Sequence, residues 1–165
     1  MSPTISSSEQ PTVQRLDPRG DWRRDRCPMA ATLSVVTTRT AFLLLREAFY
    51  GARRFEEFVQ RSEVSEPVAA TRLRELVEHG LLERAPYQDP GQRTRSGYRL
   101  TPKGAALFPA LVALMDWGNH WALADGPSIS LHHAGCGEPV HAALRCDAQH
   151  HVTARDIEVL LRPAD

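Results

Sequence analysis

The sequence has no long apolar run, no secretory signal and no excess of charge. Its longest mostly apolar stretch, 105–115, is too short to cross a bilayer and contains Pro109. Residues 1–14 are rich in Ser, Pro and Thr but lack the apolar segment of a signal peptide. We therefore expect a soluble, cytoplasmic protein that has no membrane partner.

The basic and acidic residues balance at 20 each, so the formal net charge is zero. A neutral chain argues against a nucleic-acid-binding protein, but the charges are unevenly distributed. Residues 39–104 contain 12 Lys or Arg against 9 Asp or Glu, whereas residues 105–165 contain 3 against 7. Only Lys103 among the cations is a lysine, a bias that suits bidentate contacts to phosphate and that codon usage explains equally well. The basic middle of the chain keeps a nucleic-acid partner open.

The length of 165 residues and the ordinary globular composition predict one compact domain with appendages and exclude a large multidomain enzyme. Residues 1–25 contain three prolines and no periodicity, which predicts a disordered or loosely ordered arm. A central domain is expected over 26–125. A small β-rich extension is expected over 126–165.

Helical periodicity predicts four helices in the first part of the central domain. Apolar residues recur at helical spacing from Ala30 to Tyr50, and the β-branched run at 35–38 predicts a break between two helices. A short helix follows over 54–61. Ser65 is the expected N-cap of a helix over 66–79, and a proline suits the first turn of that helix.

Two predicted strands, 81–88 and 95–100, enclose a Pro/Gly turn. This hairpin is basic, since it carries Arg84, Arg93, Arg95 and Arg99. A capped long helix then begins at Thr101 and is expected to reach Ala124 with a kink at Pro109. Its apolar residues cover more than one face, which predicts packing within its own domain and against a second subunit.

The final segment alternates short apolar runs with turn residues, so three strands are predicted over 129–131, 140–144 and 157–161. The turns between them are expected near 135–139 and 147–151.

A helix with small outward side chains followed by a basic hairpin predicts a winged helix-turn-helix, an α+β fold. DNA reading requires a helix that fits the major groove, small residues near its N-terminus, and cations on a flanking wing. A solvated helix face is the alternative for the arginines, and Arg53 and Arg54 either touch phosphate or form an exposed or core-capping pair. The predicted DNA contacts are Ser65, Pro67, Ala70, Thr71, Arg72 and Arg74 on the helix and Arg93 and Arg95 on the wing.

Five motifs in this region resemble the HxlR-type regulators of the MarR-like group. The resemblance spans residues 27–124, and the order and spacing of the motifs make it specific. Where the family usually has Gly-Gly-Lys-Trp this chain has Thr37-Thr38-Arg39-Thr40, so Phe42 is a candidate to replace the packing of that Trp. The motifs are Cys27-Pro28 with Leu33, Leu43-Leu44-Leu45-Arg46-Glu47, Arg53-Arg54-Phe55-Glu56-Glu57-Phe58, Arg72-Leu73-Arg74-Glu75-Leu76 with Gly80-Leu81, and Tyr98-Arg99-Leu100-Thr101-Pro102-Lys103-Gly104.

The resemblance implies a bacterial, nucleoid-associated transcriptional regulator that binds operator DNA as a homodimer. It also implies that the long helix after the wing joins the N-terminal helix in the dimer interface. No catalytic activity comes with it, so we expect no enzyme. A repressor that responds to a small molecule or a thiol-reactive signal is the first hypothesis, and a winged-helix protein-interaction adaptor without operator recognition is the alternative.

Cys27 lies directly before Pro28 at a helix N-terminus, where the helix dipole favours a thiolate. Members of the family that the chain resembles often carry a thiol here that senses oxidants or electrophiles. The alternative is a small buried hydrophobic residue without a signalling role.

Four zinc-compatible side chains occur in two short loops near the C-terminus. His133 and Cys136 are three residues apart, and Cys146 and His150 are four apart. These ligand types suit a tetrahedral structural zinc ion, which is the one cofactor that the sequence indicates. The alternatives are a ribbon held by its own strands and a disulfide, which a reducing cytosol disfavours.

Overall fold

The computed structural model describes residues 24–36, 38–88, 91 and 93–159. These residues form an α+β fold with two short 3-10 helices, Arg24–Arg26 and Ala154–Asp156. Residues 1–23 of the predicted arm, the wing-turn positions 89, 90 and 92, and the end of the third predicted strand lie outside the described residues. The regular elements are α1 (Pro28–Val35), α2 (Arg39–Phe49), α3 (Phe55–Ser62), α4 (Glu66–Glu78), β1 (Leu82–Tyr87), β2 (Arg95–Leu100), α5 (Pro102–Ala105) and α6 (Phe108–Trp121).

The predicted break between the first two helices is confirmed. α1 ends at Val35, and Thr38 begins α2 by accepting a hydrogen bond on its Oγ1 from the N–H of Ala41 at 3.1 Å. Such a cap satisfies one of the N–H groups that a helix leaves unpaired in its first turn. Phe42, the candidate to replace the packing of the family's Trp, is half-buried and packs against the core.

The core lies among α2, α3, α4 and the start of the hairpin. Its largest fully buried side chains are those of Phe58 on α3, Leu44 and Leu45 on α2, Leu73 and Leu76 on α4, and Leu82 on β1. The ring of Tyr98 on β2 meets Phe58 edge-on, with ring centroids 5.6 Å apart. The hairpin is therefore fixed to the helices by buried apolar contacts.

The long helix predicted to reach Ala124 is instead two helices, α5 and α6, and it ends at Trp121. Pro109 lies in the first turn of α6, where its missing N–H costs no helical hydrogen bond. A proline at this position cannot continue the ladder from the preceding turn, so the kink expected from the sequence becomes a break.

The strands predicted after Gly126 are wrong as far as residue 159, since no regular strand occurs over 126–159. The segment instead contains isolated bridges, His132 with Pro139 and Arg145 with His151. These bridges enclose the two predicted turns. The side chains on either side of the turns are exposed or half-buried, so no apolar face is present to stabilise longer strands.

The described residues divide into two compact units. One comprises residues 26–142, and the other contains residues 143–159.

Candidate nucleic-acid interface

Helices α3 and α4 form a helix-turn-helix. Glu63 ends α3 in a left-handed conformation, with a φ of 52°, and α4 begins three residues later at Glu66. Ser65 occupies the N-cap position of α4, as expected, but its side chain makes no capping hydrogen bond. Pro67, at the second helical position, has no N–H to donate and so removes one of the two usual partners of an N-cap oxygen.

α4 has one buried face and one solvent face. Ala69, Leu73 and Leu76 are buried in the core. Of the six side chains predicted to contact DNA, Ser65, Pro67, Ala70 and Arg74 are exposed and Thr71 and Arg72 are half-buried. Sequence reasoning missed Val68, which is 42% exposed beside them. The N-terminal half of α4 therefore presents small side chains to solvent.

Both arginines of α4 are held by acidic residues of the same helix. Arg72 Nη1 lies 2.6 Å from Glu75 Oε2, and Arg74 Nε lies 3.9 Å from Glu78 Oε1. Surface ion pairs of this kind contribute little stability, so either guanidinium can leave its partner for a stronger one. Arg74 is exposed and Arg72 is half-buried, and each lies next to a carboxylate one turn further along α4.

The wing is the antiparallel pair β1 and β2, with Leu82 opposite Leu100 at its base and Tyr87 opposite Arg95 towards its tip. Two of its four arginines have partners. The guanidinium of Arg84 lies over the ring of Tyr98 at 4.2 Å, and Arg99 forms an ion pair with Glu83 at 2.6 Å. The side chains of Arg93 and Arg95 are exposed and have no hydrogen bond or ion pair with any described residue.

Gly97 is a residue of this region that sequence reasoning missed. A Cβ built at this position would lie 2.5 Å from the carbonyl oxygen of Arg53 and 2.8 Å from Cδ1 of Tyr87. The available signal was a lone glycine inside a strand, which indicates a close backbone approach.

The start of α3 is fixed by Glu57. Its Oε2 accepts hydrogen bonds from the N–H groups of Arg53 at 2.8 Å and Arg54 at 3.0 Å. Burial raises the pKa of Glu57, but these two hydrogen bonds and the charges of Arg61 and Arg54 outweigh it, so the pKa lies below its usual value. Glu57 is therefore ionised at neutral pH and caps the helix.

Cys27 is the N-cap residue of α1, and its carbonyl oxygen accepts from the N–H of Ala31 at 3.0 Å. The thiol is free and the residue is half-buried. Its predicted position next to the helix N-terminus is confirmed, with Pro28 in the first turn.

The two pairs of predicted zinc ligands are each joined by a local turn. His133 Nδ1 lies 3.2 Å from Cys136 Sγ, and the N–H of Cys146 donates to the carbonyl oxygen of His150 at 3.1 Å. Cys136 and Cys146 are free thiols. Within the described part of the chain, no three His, Cys, Asp or Glu side chains are placed to hold a metal ion. The zinc site stays a prediction, since metal binding itself draws ligands together.

Helices α1 and α6 expose large apolar side chains. On α6 these are Leu114, Trp117 and Trp121, which are 55%, 63% and 59% exposed and recur at helical spacing. On α1, Met29 and Leu33 are 67% and 50% exposed. Exposed apolar patches of this kind mark interaction surfaces.

No single helix in the described ranges is long and apolar enough to span a membrane. Among the described residues, the pair α1 and α2 reaches the length and apolar composition of a membrane span only when the two helices are joined, and they are bent by 80° relative to each other.

Comparison with known proteins places this arrangement in a family. The HxlR-like helix-turn-helix family matches residues 35–125. The chain is 41% identical over 127 residues to the uncharacterized HTH-type transcriptional regulator Rv3095 of Mycobacterium tuberculosis, covering 76% of this chain and 79% of that protein.

Solved structures give the same result. The crystal structure of PA1607, described as a transcription factor, superimposes with a TM-score of 0.74 at 35% identity, covering 83% of this chain and 96% of that one. The redox regulator HypR in its reduced form gives a TM-score of 0.50 at 26% identity, covering 57% and 92%. From the match over residues 35–125 and these likenesses, the chain belongs to the HxlR-like helix-turn-helix family of transcriptional regulators.

Proposed function

We propose that this chain is a sequence-specific repressor that binds operator DNA as a homodimer. The observation that carries the proposal is the small-residue solvent face of α4 next to a wing where the side chains of Arg93 and Arg95 have no partner among the described residues. Small side chains let a helix approach base edges in the major groove, and cations on a wing contact the phosphates on either side.

The two parts of the interface supply different contacts. Ala70 and the methyl group of Thr71 suit apolar contact with thymine methyl groups, and Arg72 and Arg74 suit guanine once they leave Glu75 and Glu78. The side chains of Arg93 and Arg95 have no described partner to leave, so their contacts to phosphate cost less.

A second copy of the chain is the proposed occupant of the apolar surfaces on α1 and α6. Leu114, Trp117 and Trp121 lie at positions three and four residues apart, so they form one face along α6. A two-fold dimer would bury this face and would place two α4 helices on half-sites about 34 Å apart along the duplex.

Two signals are proposed for release from DNA. Modification of the Cys27 thiol is the first, because HypR has both reduced and oxidized forms and Cys27 begins the helix that carries exposed Met29 and Leu33. A small-molecule effector is the second.

The test is a fluorescence anisotropy titration of the full chain against its own promoter region and a scrambled duplex of the same length. Tight binding to the promoter alone, with two protomers per duplex, supports the proposal. Equal or absent binding to both duplexes contradicts it and favours a protein-interaction adaptor. The variant Thr71→Ser removes the methyl group and keeps the hydroxyl, so a loss of discrimination without unfolding would locate base reading on α4.

Redox control is tested in the same titration with and without a thiol oxidant. We expect oxidant to release the wild-type chain and to leave a Cys27→Ser variant bound. Because Cys136 and Cys146 are exposed, the matched control is a Cys136→Ser, Cys146→Ser variant, which should still respond. A response that follows the other two thiols would contradict the role of Cys27.

A further inference from the structure

The main chain of Arg53 is held from two sides. Its N–H donates to Glu57 Oε2 at 2.8 Å at the start of α3, and its carbonyl oxygen accepts from the N–H of Tyr98 on β2 at 2.8 Å. Arg53 therefore joins the first helix of the helix-turn-helix to the wing.

Gly97 makes this junction possible. The 2.5 Å separation between its ideal Cβ position and the Arg53 carbonyl oxygen is shorter than any side chain tolerates, so only glycine fits without a shift of the backbone. The ring of Tyr87 closes the other side of Gly97, since its Cδ1 would lie 2.8 Å from the same Cβ. Strand β2 thus approaches Arg53 closely because position 97 has no side chain.

The side chain of Arg53 resembles those of Arg93 and Arg95 and differs from those of the paired arginines nearby. Arg53 is exposed and has no side-chain hydrogen bond or ion pair with any residue that the structure describes. In contrast, Arg72 and Arg99 each lie 2.6 Å from a carboxylate. Glu57, which holds the Arg53 backbone, is itself paired with Arg61 at 3.6 Å.

An arginine that has no ion pair and whose backbone is fixed binds an anion at a lower free-energy cost. It loses no internal partner on binding, and less conformational freedom has to be removed than for an arginine on a mobile loop. Each phosphate that such a cation neutralises releases counterions from DNA.

We propose that Arg53 contacts a phosphate of the DNA backbone and that Gly97 positions it for that contact. The inference rests on the proposed DNA-binding function. It adds to the wing arginines a contact that originates at the start of α3, so the phosphate contacts extend from the hairpin to the helix-turn-helix.

The experiment measures the dissociation constant of the full chain for its promoter duplex over a series of salt concentrations. For Arg53→Gln we expect the slope of log affinity against log salt to shrink by about 0.9, the contribution of one phosphate contact. Arg53→Lys should keep the slope, because the charge and its position survive. Arg145→Gln removes one exposed cation from residues 143–159 and should leave the slope unchanged.

Gly97→Ala tests the positioning role. We expect it to reduce the slope in the wild-type background and to have little further effect in the Arg53→Gln background, since the contact is already gone. A purely structural glycine would lower affinity equally in both backgrounds. Circular dichroism melts of each variant separate a local shift from unfolding.

The outcomes separate the inference from the function on which it rests. An unchanged slope for Arg53→Gln, in a chain that binds its promoter with a steep salt dependence, overturns the role of Arg53 alone. A wild-type chain that binds no duplex at any salt concentration overturns the proposed function and the inference with it.

Discussion

Residues 38–112 and residues 126–159 are held together in different ways. The first range contains a continuous apolar core with Phe58, Leu44 and Leu73 fully buried. None of the residues in the second range is buried, and its order comes from tight turns, isolated bridges and polar contacts. For example, Asp116 on α6 accepts a hydrogen bond from the N–H of Ala142 at 2.8 Å. The helix-turn-helix is therefore stabilised by its own core, whereas the extension requires another source of stability.

The largest effect is expected from a change in the core. Leu73→Ala removes a fully buried side chain of α4 and should lower the free energy of unfolding by about 2–5 kcal/mol. The matched control is Leu144→Ala in the extension, where the leucine is 60% exposed and the expected change is within about 0.5 kcal/mol. Urea denaturation followed by circular dichroism measures both. Equal losses would show that the two regions are not held differently.

A bound zinc ion is the proposed source of stability for the extension. We expect about one zinc per chain by elemental analysis of protein purified without chelator, and loss of that zinc in a Cys146→Ser variant. His120→Ala is the control, because His120 lies on α6 against the ring of Trp121 and is not among the predicted ligands. Hydrogen exchange should speed up over 126–159 on zinc removal and should change little in the core. A metal-free chain, or a Cys146→Ser variant that retains zinc, would contradict the site.

A smaller difference is expected between two helix starts within the first region. Thr101 Oγ1 accepts from the N–H of Gly104 at 3.0 Å and also donates to the carbonyl oxygen of Gly80 at 2.6 Å, whereas Ser65 makes no cap. Thr101→Ala should therefore lower the free energy of unfolding by about 1 kcal/mol, and Ser65→Ala should change it by a few tenths at most. Thermal denaturation of both variants measures the difference. A larger loss for Ser65→Ala would mean that the serine caps α4 in solution.

The sequence predicted the helices and the hairpin of the helix-turn-helix closely. β2 was predicted over 95–100 and is observed at Arg95–Leu100, and α4 was predicted over 66–79 and is observed at Glu66–Glu78. These elements could be predicted because apolar spacing, proline and glycine determine the backbone conformation of residues close to them in the sequence. The same local signals predicted strands wrongly in the extension. Its apolar residues alternate with turns, but no sheet forms there with which these segments could pair.

The candidate site also has features that the local sequence predicts and features that depend on tertiary contacts. Which residues of α4 face solvent follows from helical periodicity, so the side chains at 65–74 could be chosen from the sequence. Which arginines are held and which are free depends on the carboxylates nearby, and the partner of Arg99 is sixteen residues away on the other strand. Nothing in the local sequence distinguishes Arg53 from Arg99.

By itself, the sequence determined the winged helix-turn-helix, because the order of helices, turn and basic hairpin is fixed by periodicity and by residues that start or stop elements. The tertiary structure alone decided how these elements meet. It brought the Arg53 carbonyl to the Tyr98 N–H and made Gly97 necessary, and it left the side chain of Arg53 exposed and unpaired among the described residues. The physical reason is that hydrogen bonds and close approaches between distant segments depend on packing, which local sequence patterns do not encode.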